Sequence, residues 1–214
     1  CYPNNPTGAV MDADEVAAVA EFCVEHDIDV IADEIYAALT YDGEHTSIAT
    51  MPGMRERTVV INGFSKAYAM TGLRLGYAMG PADAVDAMNR VHQYTMLSAP
   101  TTAQYAALEA LRSCGDSVTE MATEYNRRRR FVLSRFEEMG LDCFTARGAF
   151  YAFPACGGDD EAFAENLLEE EGVAVVPGSV FGPGGEGHLR VSYATGMADL
   201  KEALRRIERF VNEQ

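Results

Sequence analysis

The stretch that organises the chain is Gly63-Phe64-Ser65-Lys66-Ala67-Tyr68-Ala69-Met70-Thr71-Gly72-Leu73-Arg74-Leu75-Gly76. It lies between two short apolar runs, residues 58–61, which end before Gly63, and residues 75–79. Short apolar runs bounded by glycine, the first of them β-branched, are expected to form buried strands. A lysine just past a strand end presents its amine to whatever occupies the space beyond. Lys66 is one of only two lysines, with Lys201, among 17 basic residues. An ordinary solvated lysine is the plain alternative. Against it, a chain that has nearly abandoned lysine keeps this one among apolar neighbours.

Upstream, Asp12 and Glu15 make a capping-box pattern, and Val16, Val19, Ala20, Cys23 and Val24 recur at helical spacing, which predicts a helix over about residues 13–26. Residues 28–32 form a further apolar, β-branched run that ends at Asp33 and is expected to be a second buried strand. Downstream, Pro81 sits at a first-turn position before Val85, Met88 and Val91, and residues 101–114 and 118–139 are again helical in pattern. Met121, Tyr125, Val132, Phe136 and Met139 mark the apolar side of the longer helix, a connector between domains. This alternation predicts an α/β fold with a doubly wound, mainly parallel sheet. Beyond it, residues 142–153 are expected to form two strands around Arg147-Gly148, residues 161–171 a helix, 173–176 and 189–193 strands, and 198–211 a closing helix. That composes a smaller α+β domain. The division is 1–115, a connecting helix at 116–140, and 141–214.

The composition sets bounds on partners. With 214 residues, 48% hydrophobic and 23% charged, the chain belongs to the soluble globular class. No run approaches the roughly 18 apolar residues of a membrane span, and a cytoplasmic location is expected. A net charge of -16 disfavours nucleic acid and anionic membranes, which repel such a surface. The same acidity, with so little lysine, suits a high-salt cytoplasm where screening weakens self-repulsion. Cys1, Cys23, Cys114, Cys143 and Cys156 are odd in number and scattered, so reduced, mostly buried thiols and no metal site are expected. The opening Cys1-Tyr2-Pro3 in place of methionine predicts that the sequence starts in mid-protein.

Several residues could carry chemistry besides Lys66. Asp33, after its strand, stands where the carboxyl ends of strands line a crevice, with Glu34 and Tyr36 close behind. Taken alone, Asp33 and Glu34 could instead be a helix cap or a weak candidate for a glycosidase acid pair, since adjacent residues point apart. Asn4-Asn5-Pro6-Thr7-Gly8 is by itself only a turn. Arg190, in His188-Leu189-Arg190-Val191-Ser192-Tyr193-Ala194, could be no more than an exposed strand arginine.

Together, in this order and spacing, these segments resemble the class I/II aminotransferases of pyridoxal-phosphate fold type I. The likeness is most specific at Ser65-Lys66 followed eight residues later by Arg74. It covers essentially the whole chain, while the family's pattern begins before Cys1. The resemblance implies pyridoxal 5'-phosphate as cofactor, held covalently by Lys66, with Ser65 and Arg74 on its phosphate. It makes Asp33 the partner of the pyridine nitrogen, Tyr36 the donor to the ring's phenolic oxygen, and Asn5 the residue that touches both that oxygen and the substrate carboxylate. Arg190, after Pro177-Gly178-Ser179-Val180-Phe181-Gly182, would grip the substrate's α-carboxylate bidentately. The implied reaction moves an amino group between an L-amino acid and a 2-oxo acid, in a homodimer with shared sites. Residues 1–115 would then be the C-terminal part of the cofactor-binding large domain, 116–140 the interdomain helix and 141–214 the small domain.

Absent relative to the family are an N-terminal arm, a glycine-containing phosphate loop and the aromatic residue that stacks on the ring. Leu73 stands where close relatives often carry tryptophan. A β-eliminating C–S lyase on the same scaffold would use the same Lys66, Asp33 and Arg74, and a transcriptional regulator with a cofactor-sensing domain is a non-enzymatic alternative. Other signals count for less. Residues 182–187 fit G-x-G-x-x-G, yet a strand pattern follows where a dinucleotide site needs a helix. Arg127 to Arg130 suggest a solvated, ion-paired helix face. His26, His45, His92 and His188 show no metal or triad spacing.

Overall fold

A computed structural model describes residues 1–213, which divide into two compact units. The first comprises Cys1–Pro3 and Val10–Ala122, and the second Asn4–Ala9 and the chain from Thr123 onward. The division falls inside a helix, seven residues past the boundary expected at 115, and assigns the Asn4–Ala9 turn to the second unit.

In the first unit α1 (Ala13–Glu25) starts at Asp12, whose backbone N–H donates to Glu15 Oε2 at 2.7 Å. Val16, Ala20 and Cys23 are its buried side, and Ala20 and Cys23 meet Met54, Val30 and Ile48. Strands β1 (Val30–Asp33), β2 (Thr58–Gly63) and β3 (Gly76–Met79) form one sheet in that order. β1 and β2 run parallel with Val30 opposite Thr58 and Asp33 opposite Ile61, whereas β3 returns antiparallel with Gly76 opposite Gly63. The sheet is therefore mixed. A parallel crossover needs a connection of a dozen or more residues, usually a full helix. The β2–β3 connection holds only the single turn α2 (Phe64–Ala67) and a 3-10 turn at Thr71–Leu73. Two glycines let the backbones close up: a Cβ on Gly63 would lie 2.9 Å from the Gly76 Cα.

Not every strand expected to be buried is so. β1 and β3 are the edges of the sheet, Ile31 is 77% exposed, and all four residues of β3 are exposed. Successive strand residues face opposite ways, so α1 covers Val30 and leaves Ile31 open. Helix α3 (Ala82–Thr95) likewise has no fully buried residue, and on its apolar side Val85 is partly buried while Met88 and Val91 are exposed. Helix α4 (Thr101–Ser113) buries only alanines: Ala103, Ala107 and Ala110.

The second unit is built on the later part of α5 (Gly115–Glu138), α6 (Asp160–Glu171) and α7 (Met197–Glu213) against strands β4 (Tyr151–Ala152), β5 (Val176–Pro177) and β6 (Leu189–Ser192). The sheet order is β4-β6-β5, antiparallel throughout. Leu200, Leu204, Ile207 and Phe210 of α7, spaced for one helix face, join Val132, Phe136, Phe163, Leu167, Leu189 and Tyr193 in one core. Each such side chain contributes about 1.5–3 kcal/mol by leaving water.

Two expectations are corrected in this unit. The first strand expected within 142–153 is reduced to an isolated bridge, Cys143 with Pro154. The backbone N–H groups of Arg147 and Gly148 donate to the Gly8 carbonyl, both at 2.9 Å, rather than to a neighbouring strand of this sheet. Gly8 itself has φ +71, and a Cβ there would lie 2.5 Å from that of Ala146, so only glycine fits this turn. The arginine run is not wholly a solvated face. Arg127 and Arg128 pair with Glu124, whose carboxyl their hydrogen bonds hold at about 2, but Arg129 is buried and donates to the Ala146 carbonyl at 2.7 Å. A helix carrying four adjacent arginines must turn one inward, and this one finds acceptors. Of the five free thiols only Cys23 is fully buried, while burial pushes Cys143 up to about 11. Among the described residues no helix is long and apolar enough to cross a membrane, and no group of three or more potential metal ligands occurs.

Candidate active site

Because β1 and β2 are parallel, the chain leaves both at the same end of the sheet. Asp33 ends β1, and its Oδ1 accepts from the Ile35 N–H at 3.1 Å, which turns the backbone out of the strand. Tyr36 follows at the start of the 3-10 turn Ala37–Leu39 and is 4% exposed. β2 ends at Gly63 and passes directly into α2, which carries Ser65 and Lys66 and packs on that 3-10 turn. This packing brings Lys66 Nζ over the ring of Tyr36, 5.6 Å from its centroid and within the range of a cation–π contact.

Arg74 belongs to the same return. Its backbone is left-handed at φ 55, as is that of Ala69 at φ 52. Such conformations cost a non-glycine residue about 1–3 kcal/mol and persist where the surroundings impose them. Arg74 Nη1 donates to the Thr71 carbonyl at 2.9 Å, and the Thr71 hydroxyl donates to the Ser65 carbonyl at 2.9 Å. Thr71 therefore ties Arg74 to Ser65. An amine, a carboxylate, a phenol, a hydroxyl and a guanidinium thus stand on the loops at one end of β1 and β2.

Next to them is Glu34, which the sequence offered only as a helix cap or a weak acid-pair partner of Asp33. Glu34 is 8% exposed and its carboxylate accepts from the Ser47 hydroxyl at 2.6 Å. His45 Nε2 lies 3.1 Å from the other oxygen, at ion-pair distance but too angled for an aligned hydrogen bond. Burial raises the Glu34 carboxyl, but the contacts from His45 and Ser47 outweigh it and hold the group below its usual range. Its only sequence signal was an acidic residue beside Asp33.

In the second unit the structure joins Asn5 and Arg190. Asn4 closes the turn by accepting from the Thr7 N–H at 3.3 Å and hydroxyl at 2.8 Å, while Arg190 Nη1 donates to Asn5 Oδ1 at 2.9 Å. Arg190 projects from β6, its guanidinium carbon 4.7 Å from the Tyr151 ring centroid and 5.0 Å from that of Phe181. Its Nε is buried and finds no acceptor among the described residues. A buried, unsatisfied donor costs about 1–3 kcal/mol, more when charged. Arg190 thus keeps one buried N–H without an acceptor among the described residues, beside two aromatic rings. Tyr151 and Phe181 were not anticipated, since nothing in local periodicity links positions that far apart.

A chain with this site matches the family model for aminotransferase class I and II over residues 1–207. It is 55% identical to YugH of Bacillus subtilis, covering 100% of this chain and 56% of that protein. It is 45% identical to aromatic-amino-acid aminotransferase 2 of Thermococcus litoralis, over 99% of this chain and 56% of that one. The crystal structure of an aromatic aminotransferase from Pyrococcus horikoshii superposes with a TM-score of 0.96 at 46% identity, over 99% of this chain and 58% of that one. The chain belongs to the class I and II aminotransferase family, and its fold is pyridoxal-phosphate fold type I. It spans a little over half the length of these relatives.

Proposed function

We propose that this chain forms the C-terminal portion of a pyridoxal 5'-phosphate-dependent aminotransferase that moves an amino group between an L-amino acid and a 2-oxo acid. The observation that carries the reading is Lys66, set immediately past β2 with its amine over Tyr36. The neighbouring donors suit the cofactor's chemistry: an amine for the aldehyde, a carboxylate for the pyridine nitrogen, and a hydroxyl and a guanidinium for the phosphate. When bound, the cofactor supplies a ring that accepts the electrons released at the substrate Cα.

The chain's residues do the rest. Lys66 would hold the aldehyde carbon, and its amine, once freed, would serve as base and acid, taking the proton from Cα and returning it to that former aldehyde carbon. The Asp33 carboxylate keeps the pyridine nitrogen protonated. Tyr36 and Asn5 donate to the phenolic oxygen, with Asn5 also beside the substrate carboxylate. Ser65 and the Arg74 fork anchor the phosphate. Arg190 would bind the substrate's α-carboxylate through two parallel hydrogen bonds.

On this reading residues 1–115 are the end of the large domain, 116–140 the interdomain helix and 141–214 the small domain. The whole protein is a cytoplasmic homodimer. The acidic, nearly lysine-free composition fits a halophilic source, and loss of fold as salt is lowered is the expected behaviour, measured by circular dichroism. The function is tested on the full-length protein by supplying amino acids with a 2-oxo acid acceptor. Exchange of keto acids supports it, whereas pyruvate and ammonia without exchange would indicate β-elimination.

A further inference from the structure

We propose that Glu34, His45 and Ser47 form a clamp whose task is to position Tyr36 for the reaction proposed above. The chain leaves β1 at Asp33, makes the turn carrying Tyr36, runs out through exposed Asp42, Gly43 and Glu44, and returns at His45 to Ser47. The two sides of this excursion are tied by a buried carboxylate that takes the Ser47 hydroxyl at 2.6 Å on one oxygen and approaches His45 at 3.1 Å with the other.

The clamp is coupled to Tyr36 through the backbone. The Glu34 N–H donates to the Ile61 carbonyl at 2.9 Å, which locks Glu34 to β2, and the Glu34 carbonyl accepts from Ala37 at 2.9 Å, which spans Tyr36. Leu39 then donates to the Tyr36 carbonyl at 2.8 Å. Glu34 thus fixes the near end of the loop through its backbone and the far end through its side chain, with Tyr36 between. A buried carboxylate is a costly way to hold a loop unless its partners are kept in place. Displacement of a positioned group by about 1 Å can lower a rate about 100-fold. Glu34, His45 and Ser47 are accordingly positioning residues that act through Tyr36.

The test uses the full-length protein with Glu34→Gln, His45→Phe, His45→Gln and Ser47→Ala, each alone and combined with Tyr36→Phe. Three quantities are read: the pH titration of the bound cofactor's absorption band, kcat and KM separately, and amide hydrogen exchange of residues 35–47. If the clamp acts, Glu34→Gln and His45→Phe move the absorption midpoint in the direction Tyr36→Phe moves it. They lower kcat about 10–100-fold with little change in KM. His45→Gln, which keeps a donor, recovers part of the loss, and adding Tyr36→Phe to a clamp variant lowers kcat no further than Tyr36→Phe alone.

A purely structural role is indicated, and the proposal overturned, if the midpoint stays fixed or the effects add to those of Tyr36→Phe. Should Glu34→Gln fail to fold, Ser47→Ala and His45→Gln carry the same comparison. A wild-type protein with no cofactor band would overturn the functional reading. The clamp is then judged by exchange alone: amides of residues 37–40 opening about tenfold faster support it as a loop anchor, and unchanged protection removes it.

Discussion

Lys66→Ala in the full-length protein abolishes amino-group exchange, with a fall of about 10⁴-fold or more, the upper end of what a positioned acid–base group supplies. The effect is expected to be this large because, on the proposed function, one side chain would have two tasks, holding the cofactor and moving the proton at Cα. The other lysine of this chain, Lys201, lies on α7 in the other unit. Alanine is well tolerated in a helix, and Lys66 is only partly buried, so the melting temperature is expected to change little. Paired measurement of exchange rate and melting separates lost chemistry from lost fold. Retention of full activity by the folded variant would refute the assignment.

Arg190→Ala is expected to have the second-largest effect, a loss in kcat/KM of about 10²–10³-fold, corresponding to about 3–4 kcal/mol for a desolvated, bidentate charge pair. Arg190→Lys should recover only a small part. An ammonium cannot span both carboxylate oxygens, nor offer a planar cation to the Tyr151 and Phe181 rings that the guanidinium approaches. The deficit should vanish for an amine substrate lacking the α-carboxylate, which wild type and variant would turn over equally poorly. Stability should move the other way from activity, or not at all. Losing two ring contacts is offset by removing a buried Nε that has no acceptor among the described residues. A variant with wild-type kcat/KM on amino acids would show that Arg190 does not hold the carboxylate.

What could be read from sequence follows from where the information is local. Helix α1 was visible in Asp12, Glu15 and a 3.6-residue period, and a closing helix was expected over 198–211, where α7 lies. The lysine segment was visible because a signature binds chemistry to spacing. The antiparallel return of β3 was not, because its backbone reversal relies on left-handed Ala69 and Arg74, neither of which announces a turn. The lost strand before β4 had the right composition, yet Gly8, far away in sequence, captured its donors. Arg129 looks like its three neighbours until the helix phase decides which faces inward. The candidate site shows the same boundary. Single residues such as Asp33 and Arg190 were legible, while the pairings that hold them, Glu34 with Ser47 and Arg190 with Tyr151 and Phe181, join positions with no shared periodicity.

The scarcity of lysine has a practical corollary. One side-chain amine is half-shielded against an aromatic ring in the first unit, and the other stands open on the final helix. Reagents that acylate such amines therefore have one protected target and one unprotected target in the same polypeptide. The ratio of their labelling, read by mass spectrometry of the two peptides, reports how fully position 66 is occupied, with position 201 as an internal standard in every sample.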